Sequence, residues 1–182
     1  MIPTEWYTMN MNLKIYKHRN YAVEPSYGTE QAACFDLSAA IGYGSAITAY
    51  SKSNQHIQIL ASQEGDINYI DIPGEWRILI PTGWIFDIPE DHSIRVYARS
   101  GLSTKKGLNL INCVGIIDAD YTDELFVPIY NNTQEKIRIY HGERIAQAEL
   151  VFNEYRSTFE IVTEAPSKKG NREGGFGSTD KQ

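Results

Sequence analysis

Arg77-Ile-Leu-Ile-Pro-Thr-Gly-Trp-Ile-Phe-Asp-Ile-Pro-Glu-Asp-His-Ser-Ile-Arg-Val-Tyr97 decides the fold class. It holds three runs, 77–81, 84–88 and 93–97, that are rich in Ile, Val and aromatic residues and too short for helices. Pro81-Thr82-Gly83 and Pro89-Glu90-Asp91 separate them with the residues that turns demand: a proline fixes φ, and a glycine or aspartate tolerates the return. Similar runs recur at 13–16, 124–130, 137–140 and 145–152, again punctuated by Gly, Pro, Asn or Asp. Short strands at such spacing predict an all-β chain, a β-sandwich or jelly roll. Pro128 cannot donate to a ladder, so its run is expected at an edge or a bulge. One short helix is predicted over 102–106. Ser100 is the expected cap, Gly107 the stop, Lys105 and Lys106 complement the C-terminal end of the dipole, and the amides of Ser100 to Ser103 are expected to point outward.

At 182 residues and 42% hydrophobic, the chain suffices for one domain with a sizeable core and is short for two. Residues 1–165 read as that domain, and 166–182, rich in Ser, Lys, Gly and Asn, read by composition as a flexible arm. The stretch 41–69 is an extra segment within the domain. The formal net charge of −6 argues against direct nucleic-acid binding through phosphate neutralisation. No apolar run approaches the ~18 residues of a membrane span, and Lys14, Lys17, His18 and Arg19 interrupt any signal-like stretch, so the chain is read as soluble and cytoplasmic. Cys34 and Cys113 lack C-x-x-C spacing and are expected to be small buried residues of a reducing compartment. His18, His56, His92 and His141 fall at no metal-ligand spacing, so no histidine general base or zinc site is signalled.

Five short motifs stand out, in the order Phe35-Asp36-Leu37, Ala98-Arg99-Ser100-Gly101-Leu102, Gly115-Ile116-Ile117-Asp118-Ala119-Asp120-Tyr121, Gly142-Glu143-Arg144-Ile145-Ala146-Gln147 and Arg172-Glu173-Gly174-Gly175-Phe176-Gly177-Ser178-Thr179. An apolar strand running into a carboxylate, with an aromatic ring three residues on, can hold a sugar and a water together. An always-charged fork, a hydroxyl and helix-start amides at 99–101 suit an anion. Ser100 has no G-x-S-x-G frame and is not a nucleophile. Asp118 does not open an EF-hand loop, because Asp123 stands where glycine is required and Ile129 where glutamate is.

Together these motifs resemble those of the trimeric deoxyuridine triphosphatases, from about residue 13 to 179. The resemblance implies a distorted jelly roll that hydrolyses dUTP to dUMP and pyrophosphate with Mg2+, keeping uracil out of DNA and supplying dUMP for thymidylate synthesis. It assigns activation of the attacking water to Asp118, contact with the phosphates to Arg99, Ser100, Gly101, Gln147, Arg172, Ser178 and Thr179, and the water shell of magnesium to Asp36. Uracil and deoxyribose fall to a hairpin running from Leu110 to Tyr121, with Asn112, Gly115, Ile117 and Tyr121 named, and to Phe176 stacking from the arm. Arg144 is left open between ion pair and phosphate ligand. The family is a homotrimer with shared sites. Two alternatives stay open: deamination of deoxycytidine triphosphate on the same fold, and a nucleotide-binding regulator that contacts a protein partner through 41–69.

Overall fold

The computed structural model of the chain describes residues 11–155, 157–168 and 170. Fifteen strands and one helix follow in order among them: β1 (Lys14–Lys17), β2 (Ser26–Tyr27), β3 (Phe35–Ser38), β4 (Ala46–Tyr50), β5 (His56–Leu60), β6 (Ser62–Glu64), β7 (Ile67–Ile72), β8 (Arg77–Pro81), β9 (Trp84–Asp87), β10 (His92–Tyr97), α1 (Ser100–Lys106), β11 (Leu108–Leu110), β12 (Val114–Ile117), β13 (Phe126–Asn131), β14 (Ile137–Tyr140) and β15 (Arg144–Phe152). Two five-stranded sheets carry the fold, ordered β12-β10-β15-β3-β2 and β11-β13-β8-β4-β5, with a β1-β9 pair and a three-stranded β14-β7-β6 sheet beside them. No helix among the described residues is long and apolar enough to cross a membrane.

Alternation explains how two sheets share one core. Successive side chains leave a strand on opposite faces, and Ile78 and Ile80 of β8, Val127 and Ile129 of β13, Ile94 and Val96 of β10 and Ala146 and Ala148 of β15 are all buried in one cluster. Small residues on β15 leave room for Phe35 and Leu37 of its neighbour β3, which are buried in the same cluster. The predicted strands at 77–81 and 137–140 coincide with β8 and β14, and the others differ by one or two residues at an end.

Three local expectations need correction. Pro128 lies on an interior strand, between β11 and β8. Its carbonyl accepts from Ile111 N at 3.1 Å just past the end of β11, so the absent proline N–H forfeits one bond where the ladder is already ending. The helix begins at Ser100, capped by Arg99 in extended conformation with no side-chain cap; Gly107, at φ 64°, ends it as foreseen, with Lys105 and Lys106 in the last turn. Neither cysteine is fully buried: Cys34 is half-buried, its thiol pushed up chiefly by desolvation, and Cys113 is exposed in a turn at φ 62°.

Segment 41–69 is woven into the sandwich. Ile41, Ile47, Ala49 and Ala61 are buried, and Ala49 and Tyr50 pair with Ile78 and Arg77 of β8. Its exposed strands, β5 and β6, are the edges of two different sheets, pairing β4 and β7. Arg138 of β14 ties the third sheet together, donating to Asp71 at 2.8 Å and Glu64 at 2.7 Å and lying 3.6 Å over the Tyr69 ring.

Asn131, fully buried at the end of β13, satisfies a corner that no strand ladder reaches. Its Nδ2 donates to the carbonyls of Ile72, Pro73 and Glu135, and its Oδ1 accepts from the amide and hydroxyl of Thr133. Removing the amide strands several buried polar groups at once, each costing about 1–3 kcal/mol when left unpaired. Asn131→Ala is therefore expected to lower unfolding free energy by roughly 2–4 kcal/mol, read from the urea midpoint at unchanged slope.

Candidate functional site

β10 delivers the first half of the site. It ends at Tyr97, and the chain passes through Ala98 and Arg99 into α1. The Arg99 carbonyl accepts from both Leu102 N and Ser103 N at 3.0 Å. Of the four amides expected to face outward, two are thus occupied, and those of Ser100 and Gly101 are what the loop can offer an anion. A side chain at Gly101 would meet nothing within 4 Å, so the approach to that backbone is open.

A cleft of about 480 Å³ opens here, lined by Arg99, Ser100, Gly101, Lys105, Lys106 and Arg144, with Glu143 and Gln147 at its side. Its cationic walls make it a place for phosphate-like charge. Lys105 and Lys106, which the sequence explains as helix-dipole residues, also line the cleft, and Lys106 is paired with Glu143 at 2.5 Å. That second duty becomes visible only when α1 is laid beside the turn at Gly142.

Asp36 is the electrostatic centre of this half. Its side chain is only 12% exposed, one oxygen takes Arg99 Nε at 2.9 Å, and the other takes Arg144 Nη1 at 3.0 Å. Arg99 Nη1 in turn donates to the Arg144 carbonyl at 3.2 Å. Arg144 is thus an ion-pair residue in this structure while remaining at the cleft wall. A register shift between Arg144 and Ala146, where β15 runs along β3, gives Arg144 its direction. Gln147 also departs from a simple ligand role: its Nε2 donates to the Ala98 carbonyl at 2.9 Å and so holds the phosphate loop in place.

Asp36 retains acceptor capacity, because a carboxylate offers about four lone-pair sites and two guanidiniums use two of them. Among the described residues no group of three or more His, Cys, Asp and Glu is arranged to hold a metal ion. These donors fit a magnesium ion that brings its own waters and phosphate ligands, and do not fit a caged one.

The second half lies elsewhere. β11 joins the sheet of β13, whereas β12 joins that of β10, so the stretch foreseen as a hairpin is an arch between the two sheets. Asn112 sits exposed at its bend, where its carbonyl accepts from Val114 N at 2.7 Å. Gly115 is buried, and a Cβ there would stand 3.1 Å from Val96 Cβ and 3.5 Å from Asn112 Nδ2. Glycine therefore lets the arch lie close on β10. Ile117, half-buried, pairs with Ile94. Asp118 follows, exposed, in a cleft of about 610 Å³ shared with Asp120, Asp91, His92 and Asn153. Its carbonyl accepts from Tyr121 N at 3.2 Å. The Tyr121 hydroxyl donates to the Glu124 carbonyl at 2.9 Å, leaving the ring 38% exposed; burial and the neighbouring Asp123 and Glu124 push its phenol upward.

The two halves are held apart by a rigid strand. Asp118 stands past the Ile117–Ile94 pair, and Arg99 lies five residues beyond Ile94 in the other direction. At ~3.3 Å per residue the three strand steps from Ile94 to Tyr97 alone hold the two ends roughly 10 Å apart, with Ala98 and Arg99 beyond. The structure brings together Asp36, Arg99, Ser100, Gly101 and Gln147 at one place, and Asn112, Gly115, Ile117, Asp118 and Tyr121 near another. Arg172, Phe176, Ser178 and Thr179 lie outside the described residues. Sequence reading missed the Arg19–Glu124 pair beneath Tyr121, since its partners are 105 positions apart and neither belongs to a recognisable motif.

Comparison with known proteins gives one consistent answer. A family model described as dUTPase matches residues 66–180. A deoxyuridine 5'-triphosphate nucleotidohydrolase of Finegoldia magna is 42% identical over 103 residues, covering 57% of this chain and 71% of its own length. That of Helicobacter hepaticus is 34% identical over 171 residues, covering 93% and 89%. Among solved structures, the dUTPase of Streptococcus mutans superposes with a TM-score of 0.61 at 22% identity, over 81% of this chain and all of that one. A mutant of the Staphylococcus bacteriophage 80alpha dUTPase with dUpNHpp reaches 0.68 at 22% identity, covering 92% and 98%.

The Asp36 clamp makes a prediction of its own. Asp36→Asn removes the charge from an ion pair with Arg99 and from one charge-assisted hydrogen bond donated by Arg144, and is expected to cost about 1 kcal/mol. Urea unfolding at low and high salt checks this, the loss being smaller at high salt because the Arg144 side chain is 55% exposed and its share of the attraction is screened.

Proposed function

The chain belongs to the dUTPase family, and we propose that it hydrolyses dUTP to dUMP and pyrophosphate at sites that each combine the Arg99 cleft of one subunit with the Asp118 arch of another. The observation that carries this reading is the separation along β10. Reacting groups must come within ~3–3.5 Å for an in-line displacement. Phosphates seated at Arg99 and Ser100 cannot also reach Asp118 of the same chain across a strand of that length. A homotrimer with shared sites, the arrangement the family resemblance implies, resolves the mismatch.

In this mechanism Asp118 accepts the proton of a water as its oxygen forms a bond to the α-phosphorus. The bond from that phosphorus to the bridging oxygen breaks, and pyrophosphate leaves with the electron pair. Arg99, the amides of Ser100 and Gly101, and the cationic wall of Lys105, Lys106 and Arg144 stabilise charge on the departing phosphates. Magnesium bound with the nucleotide would neutralise part of the triphosphate charge, and Asp36 is the carboxylate that would help hold it through water. Uracil lies against the arch, where backbone groups near Gly115 and the Asn112 amide match its donor and acceptor edge. Cytosine presents the reversed pattern and leaves buried groups unpaired, a mismatch that discriminates strongly. The Tyr121 ring occupies the space a ribose 2′-hydroxyl would need. From the arm, Phe176 is assigned to stack on the base, and Arg172, Ser178 and Thr179 to meet the phosphates.

A regulatory partner acting through 41–69 would meet the outer edge, where Leu60 is 64% exposed beside exposed His56 and Gln58. Deleting the segment would not test this, because β4 carries part of the core.

Each deoxynucleoside triphosphate supplied with magnesium separates the readings. Pyrophosphate release confined to dUTP is expected, and ammonia release from deoxycytidine triphosphate would identify a deaminase instead. Asp118→Asn is expected to lower kcat by ~10²-fold or more, as loss of a general base does. Shared sites make a further prediction. Asp118→Asn and Arg99→Ala subunits, each nearly inactive alone, regain a measurable fraction of activity when unfolded and refolded together. Continued inactivity of a mixed assembly would place both groups in one subunit's site.

A further inference from the structure

Tyr121 sits in a turn outside any strand, and its ring must still stand at a fixed height to exclude a hydroxyl from the sugar. Its hydroxyl leans on the Glu124 carbonyl at 2.9 Å, so the ring is placed only as well as Glu124 is. The Glu124 side chain is 6% exposed and occupied on both oxygens: Arg19 Nε at 2.6 Å, Arg19 Nη2 at 2.7 Å, and Gly83 N at 2.8 Å on the oxygen that Nε also takes. The next residue is fixed as well, Leu125 N donating to Trp84 O at 2.9 Å and Leu125 O accepting from Thr82 N at 3.1 Å.

The fork comes from a distant part of the chain with its own anchorage. His18 N and Arg19 N both donate to Gly83 O, at 2.9 and 3.2 Å. Gly83 holds φ +79°, and a Cβ there would lie 2.4 Å from Ala22 Cβ. The segment after β1, the β8–β9 turn and the Tyr121 turn are thus locked to one another at a single buried carboxylate. A planar guanidinium can hold both oxygens in plane, whereas an ammonium holds a point. Leaving Glu124 without its partner would strand a buried charge and force its backbone to move.

We propose that Arg19 is a positioning residue for sugar discrimination: by fixing Glu124 it sets where the Tyr121 ring stands, and so how strongly the site rejects a ribonucleotide. This rests on the reading that the chain acts on dUTP with Tyr121 against the sugar. Arg19 itself touches no substrate.

The test compares wild type, Arg19→Lys and Arg19→Gln as full-length protein. Pyrophosphate release gives kcat/KM for dUTP and for UTP, and urea midpoints report folding. A purely structural loss lowers both rates together by the inactive fraction and leaves their ratio unchanged. The expected result is a fall in the dUTP-to-UTP ratio of about tenfold in Arg19→Gln, within the range a small steric misfit controls, with a smaller fall in Arg19→Lys. In parallel, the ring signal of Tyr121 in 13C-tyrosine NMR, assigned by its loss in Tyr121→Phe, is expected to move in both variants without nucleotide. An unchanged ratio together with an unmoved Tyr121 signal in a folded variant overturns the inference. Should wild type fail to hydrolyse dUTP, the proposed function falls, and the Tyr121 signal alone decides whether Arg19 positions the ring. Should Arg19→Gln not fold, Arg19→Lys carries both measurements.

Discussion

β10 lies between β12 and β15, hydrogen-bonded on both sides along most of its length. A strand so held cannot bend to bring its ends together. Its last residues lead into Arg99, and its first residues face the departure of β12 toward Asp118. The distance between anion cleft and carboxylate is therefore a property of the sheet, set by strand rise. Each half of the chemistry can be built stiffly because it stands on one end of the same rod. The demand that follows is that a second copy supply the missing half, which makes assembly a condition of catalysis in the proposed reading.

The charge distribution follows a related logic. A chain of net charge −6 binds an anion only where cations are gathered and kept pointing the right way. Asp36 does this for Arg99 and Arg144: it pairs with both guanidiniums, at 2.9 and 3.0 Å, and limits their rotamers. Gln147 does the same for the loop backbone through Ala98. Preorganisation of this kind moves the ordering cost from the binding step into folding. It also places Asp36 and Gln147 in contact with the cleft residues before any substrate arrives, so that in the free chain both are occupied by structural partners.

Beneath the arch, the buried Arg19–Glu124 pair has a different character. A buried ion pair is weak evidence for stability, because desolvation offsets much of the attraction. What it supplies is geometry, a fixed distance between three loops just past the ends of the β1–β9 and β8–β13 ladders. Asn131 solves the same problem with a neutral amide at the far corner. Both are polar groups at places where strands end, and there the backbone has no other way to satisfy itself.

The strands at 77–81 and 137–140, the stop at Gly107 and the five motifs were legible in the sequence because they depend on local chemistry: alternation, turn residues and the spacing of reactive types along a few positions. Pro128 misled because an interior strand tolerates proline where its neighbour has already ended, and that depends on register. Ser100 was misplaced by one residue because an extended Arg99 caps the helix without a side chain. The pairings of Asp36 with Arg99 and Arg144, of Arg19 with Glu124, and of Lys106 with Glu143 span 63, 108, 105 and 37 positions, and no local pattern encodes them. Which residue types could carry chemistry was written in the sequence, since reactivity belongs to side-chain type and short spacing; which of them stand together, and which are kept apart by a strand, was decided only by the fold, since contact between remote residues is set by register and packing.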